Sequence, residues 1–481
     1  MKSGRKRVPA SCLRPGGQNQ SVQRAREGST DEAADAALDG PLEQSTDTQD
    51  APDLPGFYYD PERNRYFRLL PGHNNFNPLT NSSLRRQQQE KDRLKMVEED
   101  NRCSPKVPDS RCTVSRLVER RRVGLQGPQS YCRLMHELKI SGMRKQSVEI
   151  TGAESDAVAF KLIKADSRCE RLFALYDLGP GFCKYGLMTL DWQNGSAQAQ
   201  LWYNHYFTNR MVKSVCWASL TGQDSHLLLS LMGYVDTSGC VSLLPASLFL
   251  PDDHEKRPGQ VYNFKQMAFT CAWSRCPQID CSFSAGCPRK AVVMDVVTTQ
   301  QQHFHTLSDV LAQCFATQAP LLYSGSRSGE VWSWDLRQRA PRLGPKPSLF
   351  RLSSAATSLS LLSDENYLVA ADMAGKINLW DMRAQRTVQN FEGHQNKHYI
   401  LPVHVEEALG TVVAVGQDYV TRIWSLRNGR LLRSVPSPVP VSCEGVPSVV
   451  LSPHLGGTRG EPGLLMAAGK QLLRYSYSER A

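Results

Sequence analysis

From about residue 146 onward, apolar stretches of four to seven residues recur, separated by Gly, Asp, Asn, Ser and Pro. Runs this short, bounded by turn formers, predict β-strands. They group into units of about 40–45 residues. Units of that length that cannot bury their own apolar faces predict blades stacked around an axis. Ahead of residue 146 the pattern differs. Residues 82–100 hold good helix formers with a thin apolar face, Leu84, Leu94 and Val97, and Ser82 or Ser83 can cap the start. A basic run, Arg116 to Arg122, predicts a second helix. Tyr131, Leu134, Met135 and Leu138 then fall at i, i+3, i+4 and i+7, which predicts an amphipathic third. Residues 53–80 are dense in aromatics (Phe57, Tyr58, Tyr59, Tyr66, Phe67, Phe76) interleaved with Pro-Gly and Asp-Pro. Such a segment either caps the main domain or docks on a partner. Residues 1–52 hold very few large apolar side chains and are expected to form a disordered tail, basic up to Arg26 and acidic from Glu27 to Asp53.

Three of the repeats end alike. Trp334, Asp335 and Arg337 close one, Trp380, Asp381 and Arg383 the next, and Trp424, Ser425 and Arg427 a third. The tryptophans are 46 and 44 residues apart, the period and final dipeptide of WD repeats. The expected fold is therefore an all-β WD-repeat β-propeller over 146–481, preceded by the tail, the aromatic segment (53–80) and a basic helical segment (81–145). Weaker units at 154–203, 208–265, 267–305 and 446–478 bring the clear ones (308–345, 352–392, 394–435) to seven. In the WD pattern a His before the blade and an Asp before its Trp lock the turn; His394, Asp418 and Trp424 fill those places in the third clear unit. The other two have Ser328 and Ala374 in the Asp slot, so their turns must be held otherwise. A strand near Ser147–Ile150 is expected to pair with the last blade, because an open edge is a liability.

Composition narrows the function classes. The chain of 481 residues is 40% hydrophobic and 22% charged, ordinary for a soluble globular protein. The net charge of +10 is local: Leu84 to Lys145 carries 16 Lys/Arg against 8 Asp/Glu. That distribution argues against a global nucleic-acid field. The N-terminus shows no signal peptide, and the most apolar run, Leu227 to Val235, is far too short to span a bilayer. The expected location is nucleus or cytoplasm, with Arg5, Lys6 and Arg7 a candidate import cluster and the 14 cysteines reduced. Cys271, Cys276, Cys281 and Cys287 lack paired Cys-x-x-Cys spacing, and His303 and His305 lack partners, so no metal is expected. No phosphate-cradling loop, nucleophile elbow or kinase signature occurs, so neither cofactor nor catalysis is expected.

The two tandem Trp-Asp-x-Arg endings, at Arg337 and Arg383, resemble those of the WD-repeat substrate receptors of cullin-4 RING ubiquitin ligases. Residues 54–75 (LPGFYYDPERNRYFRLLPGHNN) look like an N-terminal signature within that family, and YFTNRMVKSVCWASL (206–220) and DMAGKINLWDMR (372–383) look similar too. The resemblance runs from about residue 53 to the end. It implies docking through Trp334, Asp335, Arg337, Trp380, Asp381, Arg383 and, more weakly because Ser425 replaces the Asp, Arg427. The implied partner is the adaptor, the large subunit of the damaged-DNA-binding protein, and through it cullin-4 and the RING subunit. The implied role is non-catalytic: a receptor that presents substrate proteins of unnamed identity for ubiquitination. Neither a membrane nor nucleic acid is an expected partner. The alternative is a WD-repeat scaffold of another assembly, RNA-associated through the basic segment.

Overall fold

The computed structural model describes residues 56–60, 65–68, 81–102, 114–125, 127–151, 159–179, 182–191, 198–201, 206–233, 237–249, 259–338, 347–440, 445–458 and 460–477. The tail, Arg5–Arg7, Phe76 and the Pro-Gly at 71–72 lie outside them. Residues 57–68 form a small unit of their own: Phe57–Asp60 pairs antiparallel with Arg65–Arg68, and Tyr59 meets Tyr66 with ring centroids 5.0 Å apart.

The rest of the described chain is a seven-bladed β-propeller with three helices ahead of it. The first strand of each blade is innermost: Phe160–Ala165, Met211–Ala218, Thr270–Trp273, Val310–Phe315, Ala356–Leu361, Val403–Glu406 and Ser448–Leu455. Later strands step outward in antiparallel order. The first blade carries extra edge pairing, with Glu149–Thr151 parallel to Gln198–Leu201 and Tyr206–Thr208 against its third strand.

The core lies in the seams. Seven apolar clusters each join two neighbouring blades: Leu227 with Phe173 between the first and second, Phe283 with Leu228 between the second and third, and so on round to Leu465 with Leu172 between the seventh and first. A blade alone would leave both faces wet at a cost of about 25 cal/mol per Å². The WD tryptophans fill three of these seams. Trp334, Trp380 and Trp424 each meet a phenylalanine from the outer strand of the preceding blade, Phe304, Phe350 and Phe391, at centroid distances of 5.3, 4.1 and 6.3 Å.

The ring closes through the N-terminal side of the domain. Arg144–Ser147 pairs with Gln471–Ser476 and becomes the outer strand of the seventh blade. The closing strand therefore begins earlier than the expected Ser147–Ile150, and Glu149–Thr151 turns away to the first blade instead. Val148 marks the crossing: buried at 4%, it packs into the seam between those two blades.

The helices are α1 (Asn81–Asn101), α2 (Val114–Arg122) and α3 (Pro128–Ile140). α1 is anchored by charge rather than by its leucines. Leu94 is exposed, whereas Arg93 is buried, gripping Glu90 through Nε and Nη2 (2.9 and 2.6 Å) and donating to the Ser437 carbonyl at 2.5 Å. Further along, Asp100 accepts from Arg433 at 2.8 Å, and Arg433 also donates to the carbonyls of Ile140 and Met143. α3 buries Ile140 with Leu409 and Val435. α1 and α3 thus pack on the sixth and seventh blades, and α2 joins α3 by the stacking of Arg121 over Tyr131.

Candidate functional site

The turns that follow the third strands of successive blades lie at one end of the ring. In the fourth blade Asp335 holds Arg337 by three bonds: its carboxylate accepts from the Arg337 backbone N–H (3.1 Å), Nε (2.9 Å) and Nη2 (2.8 Å). The Arg337 side chain is still 67% exposed. In the fifth blade Asp381 accepts from the backbone N–H groups of Arg383 (2.9 Å) and Ala384 (3.1 Å). The Ala384 N–H foremost, then the Arg383 backbone and charge, hold the Asp381 carboxyl below the usual carboxylate range. The Arg383 side chain lies looser, 3.9 Å from Asp381 and 71% exposed. Such exposed pairs are screened by solvent and add little to stability. What they fix is direction: each aspartate pins the turn that points its arginine outward.

The sixth blade departs from this. Ser425 faces the helical segment, donating to Glu137 of α3 at 2.5 Å, while Arg427 stands exposed in the arginine place. The Arg133 stem of α3 lies over Gly410 in the loop beneath this turn, where a side chain on Gly410 would meet it. α3 therefore lies across the end of the sixth blade, where its neighbours present a carboxylate.

Sequence reading placed the third blade, as the weaker unit at 267–305, but missed its turn. Its third strand ends at Met294-Asp295 and turns at Val296-Val297, with no tryptophan to mark it. Asp295 accepts from the backbone N–H groups of Val297 (2.8 Å) and Thr298 (3.0 Å), the same turn as at Asp381. Val297 takes the arginine place and is 72% exposed. The signal available was the Asp alone, at the end of an apolar run. Val297, Arg337, Arg383 and Arg427 thus form a row of exposed side chains along four consecutive blades, ending beside α3.

Under the row the blades are latched by carboxylates. Glu365 accepts from the Thr317 N–H (2.6 Å), Thr317 Oγ1 (3.0 Å) and Gln318 N–H (2.7 Å) of the preceding blade. Glu407 does the same for Ser363, through its N–H and Oγ at 2.7 Å each. The spacing between Arg337, Arg383 and Arg427 is therefore set by packed seams and by inter-blade hydrogen bonds.

The other end of the blades holds the turn-locking residues. In the sixth blade Asp418 accepts from both Arg422 Nη atoms (3.1 and 2.5 Å), whereas His394 reaches the Val415 carbonyl at 3.1 Å instead of the aspartate. Trp424 Nε1 donates to the Glu392 carbonyl at 2.9 Å. Locked this way, Tyr419 holds φ +63°, a conformation that glycine supplies in the neighbouring blades at Gly329 (+85°) and Gly375 (+83°). In the fifth blade, where Ala374 stands in the expected slot, the lock is Asp372. Buried at 1%, it accepts from the N–H groups of Ala374 and Lys376 and from Ser353 Oγ. In the fourth, Ser326 and Ser328 bond to one another and to Glu330.

Chemistry of other kinds finds little to work with. Among the described residues no group of three or more His, Cys, Asp or Glu is placed to hold a metal ion. Cys271, Cys276 and Cys287 are buried, Cys281 is half-buried, and His303 and His305 are exposed on the outer strand of the third blade. No helix among the described residues is long and apolar enough to cross a membrane.

A propeller with exposed, aspartate-held arginines on adjacent blades and helices on one flank is the frame in which the comparisons fall. A model of the DDB1- and CUL4-associated factor 4 beta-propeller domain matches residues 131–477. The chain belongs to that family. It is 48% identical over 438 residues to human "DDB1- and CUL4-associated factor 4", covering 90% of this chain and 88% of that protein. It is 44% identical over 476 residues to the protein of that name from Bos taurus, covering 98% and 96%. Human "DDB1- and CUL4-associated factor 4-like protein 2" is 44% identical over 370 residues, 75% of this chain and 93% of its own length. The match to the DDB1- and CUL4-associated factor 4 relatives thus extends beyond the propeller to the helices that flank it.

Proposed function

We propose that this protein is the substrate-recognition subunit of a cullin-4 RING ubiquitin ligase, docking on the DDB1 adaptor through the row that holds Arg337 and Arg383. The observation that carries this reading is the pair of outward-held arginines on adjacent blades, in a chain of this family. Their planar forks suit bidentate binding of carboxylates and carbonyls, and pre-organisation by Asp335 and Asp381 lowers the entropy of docking. Val297 and Arg427 extend the contact along the ring. The exposed apolar and basic residues of the helical segment (Leu94, Val118, Val123, Leu125 and Arg120 to Arg122) supply a second one. Substrate is held at the opposite end of the ring, where a pocket of about 460 Å³ is framed by exposed Phe182, Phe207 and Val261 beside Arg210. The role is proximity rather than chemistry: tethering raises the local concentration of a substrate lysine at the ligase's conjugating enzyme. Nuclear or cytoplasmic residence goes with this role.

The test is co-purification of the wild-type chain and of a double Arg337→Ala, Arg383→Ala variant, after circular dichroism shows both folded. The wild type should bring down DDB1 and cullin-4. The variant should lose them, because truncating an arginine in a desolvated interface costs about 2–5 kcal/mol. A folded wild type that captures neither overturns the reading.

A further inference from the structure

Aromatic packing fills the seam between the first and second blades over part of its length. Tyr185 and Tyr206 lie against Phe249, and the Tyr206 hydroxyl donates to the Leu248 carbonyl at 3.1 Å. Beyond them the seam opens into the pocket of about 460 Å³, walled by Phe182 and Phe207 of the first blade and by Leu231, Val261 and the buried Ser242 of the second. Arg210, in the link between the two blades, is the one charged residue among the described residues that line it. Its half-buried guanidinium carries five donors, and Nη1 gives one of them to Cys240 Sγ at 2.8 Å, a weak acceptor. Among the described residues it has no carboxylate partner. Lys184, opposite Phe207 in the strand register, is in the same state: its ammonium lies 5.9 Å from the centre of the Phe207 ring and meets no carboxylate among the described residues. Elsewhere in the first blade Lys161 and Arg171 each hold an aspartate, at 3.0 and 2.9 Å. A half-buried cation without an anion, at the wall of an apolar pocket, awaits one from a partner.

We infer, resting on the receptor reading above, that this pocket selects substrate proteins by an extended acidic segment in which a large apolar side chain lies next to Asp or Glu. The carboxylate meets Arg210, whose planar fork binds it bidentately, and the exposed amides of Asn209 and Asn263 supply neutral donors beside it. The apolar side chain covers Phe207 and Val261, which the chain alone leaves exposed to water. A further acidic residue along the segment reaches Lys184. A neutral or basic segment would cover Arg210 without supplying an anion, so the same contact that favours an acidic partner rejects the others. A nucleic-acid strand also carries anions, but two isolated cations fall short of the run that a phosphate backbone engages, and Leu231 and Val261 give its bases no ring to stack on.

The test uses the full-length chain and a set of short fluorescent peptides, each with a central Phe or Leu in a Gly-Ser background and with Glu, Gln or Lys beside it, followed by fluorescence polarisation. The Glu peptides should bind, and their Gln and Lys counterparts should bind about tenfold more weakly or worse, the worth of one charge-assisted hydrogen bond. Arg210→Glu, with its fold checked by circular dichroism, should reverse the order and favour the Lys peptides. Phe207→Ser, at an exposed position, should weaken the Glu peptides and keep the order. Glu peptides that fail to bind, binding indifferent to the exchange of Glu for Lys, an order that survives Arg210→Glu, or a poly-uridine strand that binds in place of the peptides overturns the inference. Capture of DDB1 by the same preparation separates the two readings. A chain that takes DDB1 but no peptide loses this inference alone; one that takes the Glu peptides but not DDB1 keeps the specificity of the pocket while the receptor reading falls.

Discussion

Phe350 lies flat on Trp380 across the seam between the fourth and fifth blades, with ring centroids 4.1 Å apart and planes within 10°. The same pairing recurs one blade on, where Phe391 meets the fully buried Trp424 edge-on. The WD tryptophan is thus the side chain that holds each blade to the one before it. Trp424→Ala should destabilise the propeller by about 3–5 kcal/mol, and the half-buried Trp380→Ala by less. Midpoints of thermal or urea unfolding check the order. Equal loss from both substitutions would contradict it.

Asp372 makes a second prediction. It is buried and accepts three hydrogen bonds, two from its own turn in the fifth blade and one from Ser353 ahead of the blade's first strand. Asp372→Ala strands three donors and should cost about 2–3 kcal/mol or more, since bonds to a charged group are the strong ones. Ala374→Asp places the WD-pattern aspartate in its usual slot two residues on, at a site that is now exposed. It should not rescue Asp372→Ala, because Ser353 and Lys376 are already arranged around Asp372.

The pH dependence has one clear contributor. His404 sits on the innermost strand of the sixth blade, where burial first and Lys164 second push its imidazole down to about 3. An unfolded histidine titrates near 6.5. Below that pH the unfolded chain takes up a proton that the folded chain refuses. The stability tied to His404 is therefore complete above about 6.5 and drains away as pH falls toward 3, by at most about 1.4 kcal/mol per pH unit. His404→Gln should flatten the drop in melting temperature between pH 7.5 and pH 5. An unchanged drop would assign the acid sensitivity to other groups.

Ser425 stands where the two preceding blades have aspartate, and it donates to Glu137 of α3. Ser425→Asp, which completes the repeat signature, should set two carboxylates against each other and lift α3 from the sixth blade. Limited trypsin digestion should then cut faster at Lys139 and Arg144, while Ser425→Asp combined with Glu137→Gln should restore much of the protection. Digestion unchanged in the single variant would mean that Ile140 and Met143 hold the helix without help.

Where a blade keeps its tryptophan, the sequence announces it: Trp334, Trp380 and Trp424 carry both the period and the register. The seven-blade count was legible because turn formers bound each strand even in the weaker units. The third blade hid its turn because Met294 fills the seam as well as an indole would, leaving no mark in the residue pattern. The same limit applied to Asp372, which locks its turn from a position two residues off the repeat's usual one. The anchoring of α1 was illegible for another reason: a thin apolar face reads as a solvated helix, and nothing in composition shows that Arg93 finds both Glu90 and a blade carbonyl. Local pattern reveals which faces are apolar; it does not reveal which long-range partner satisfies a charge. Closure near residue 147 was foreseeable from the need to cover an edge, but the exact strand was not, because both 144–147 and 149–151 can pair and only Val148 between them decides which goes where.

The clasp at 144–147 has a consequence for assembly. Residues 144–147 meet 473–476 only when every blade between them has taken its place, and so distant a pairing comes late in folding. α3 ends a few residues before the clasp and shares its cluster with the sixth and seventh blades. A half-built ring could expose Arg337 and Arg383, yet it would hold the helices in no fixed place beside them. The platform for a two-point contact exists only in a finished ring, so a partner that needs both points is also an inspector of the fold.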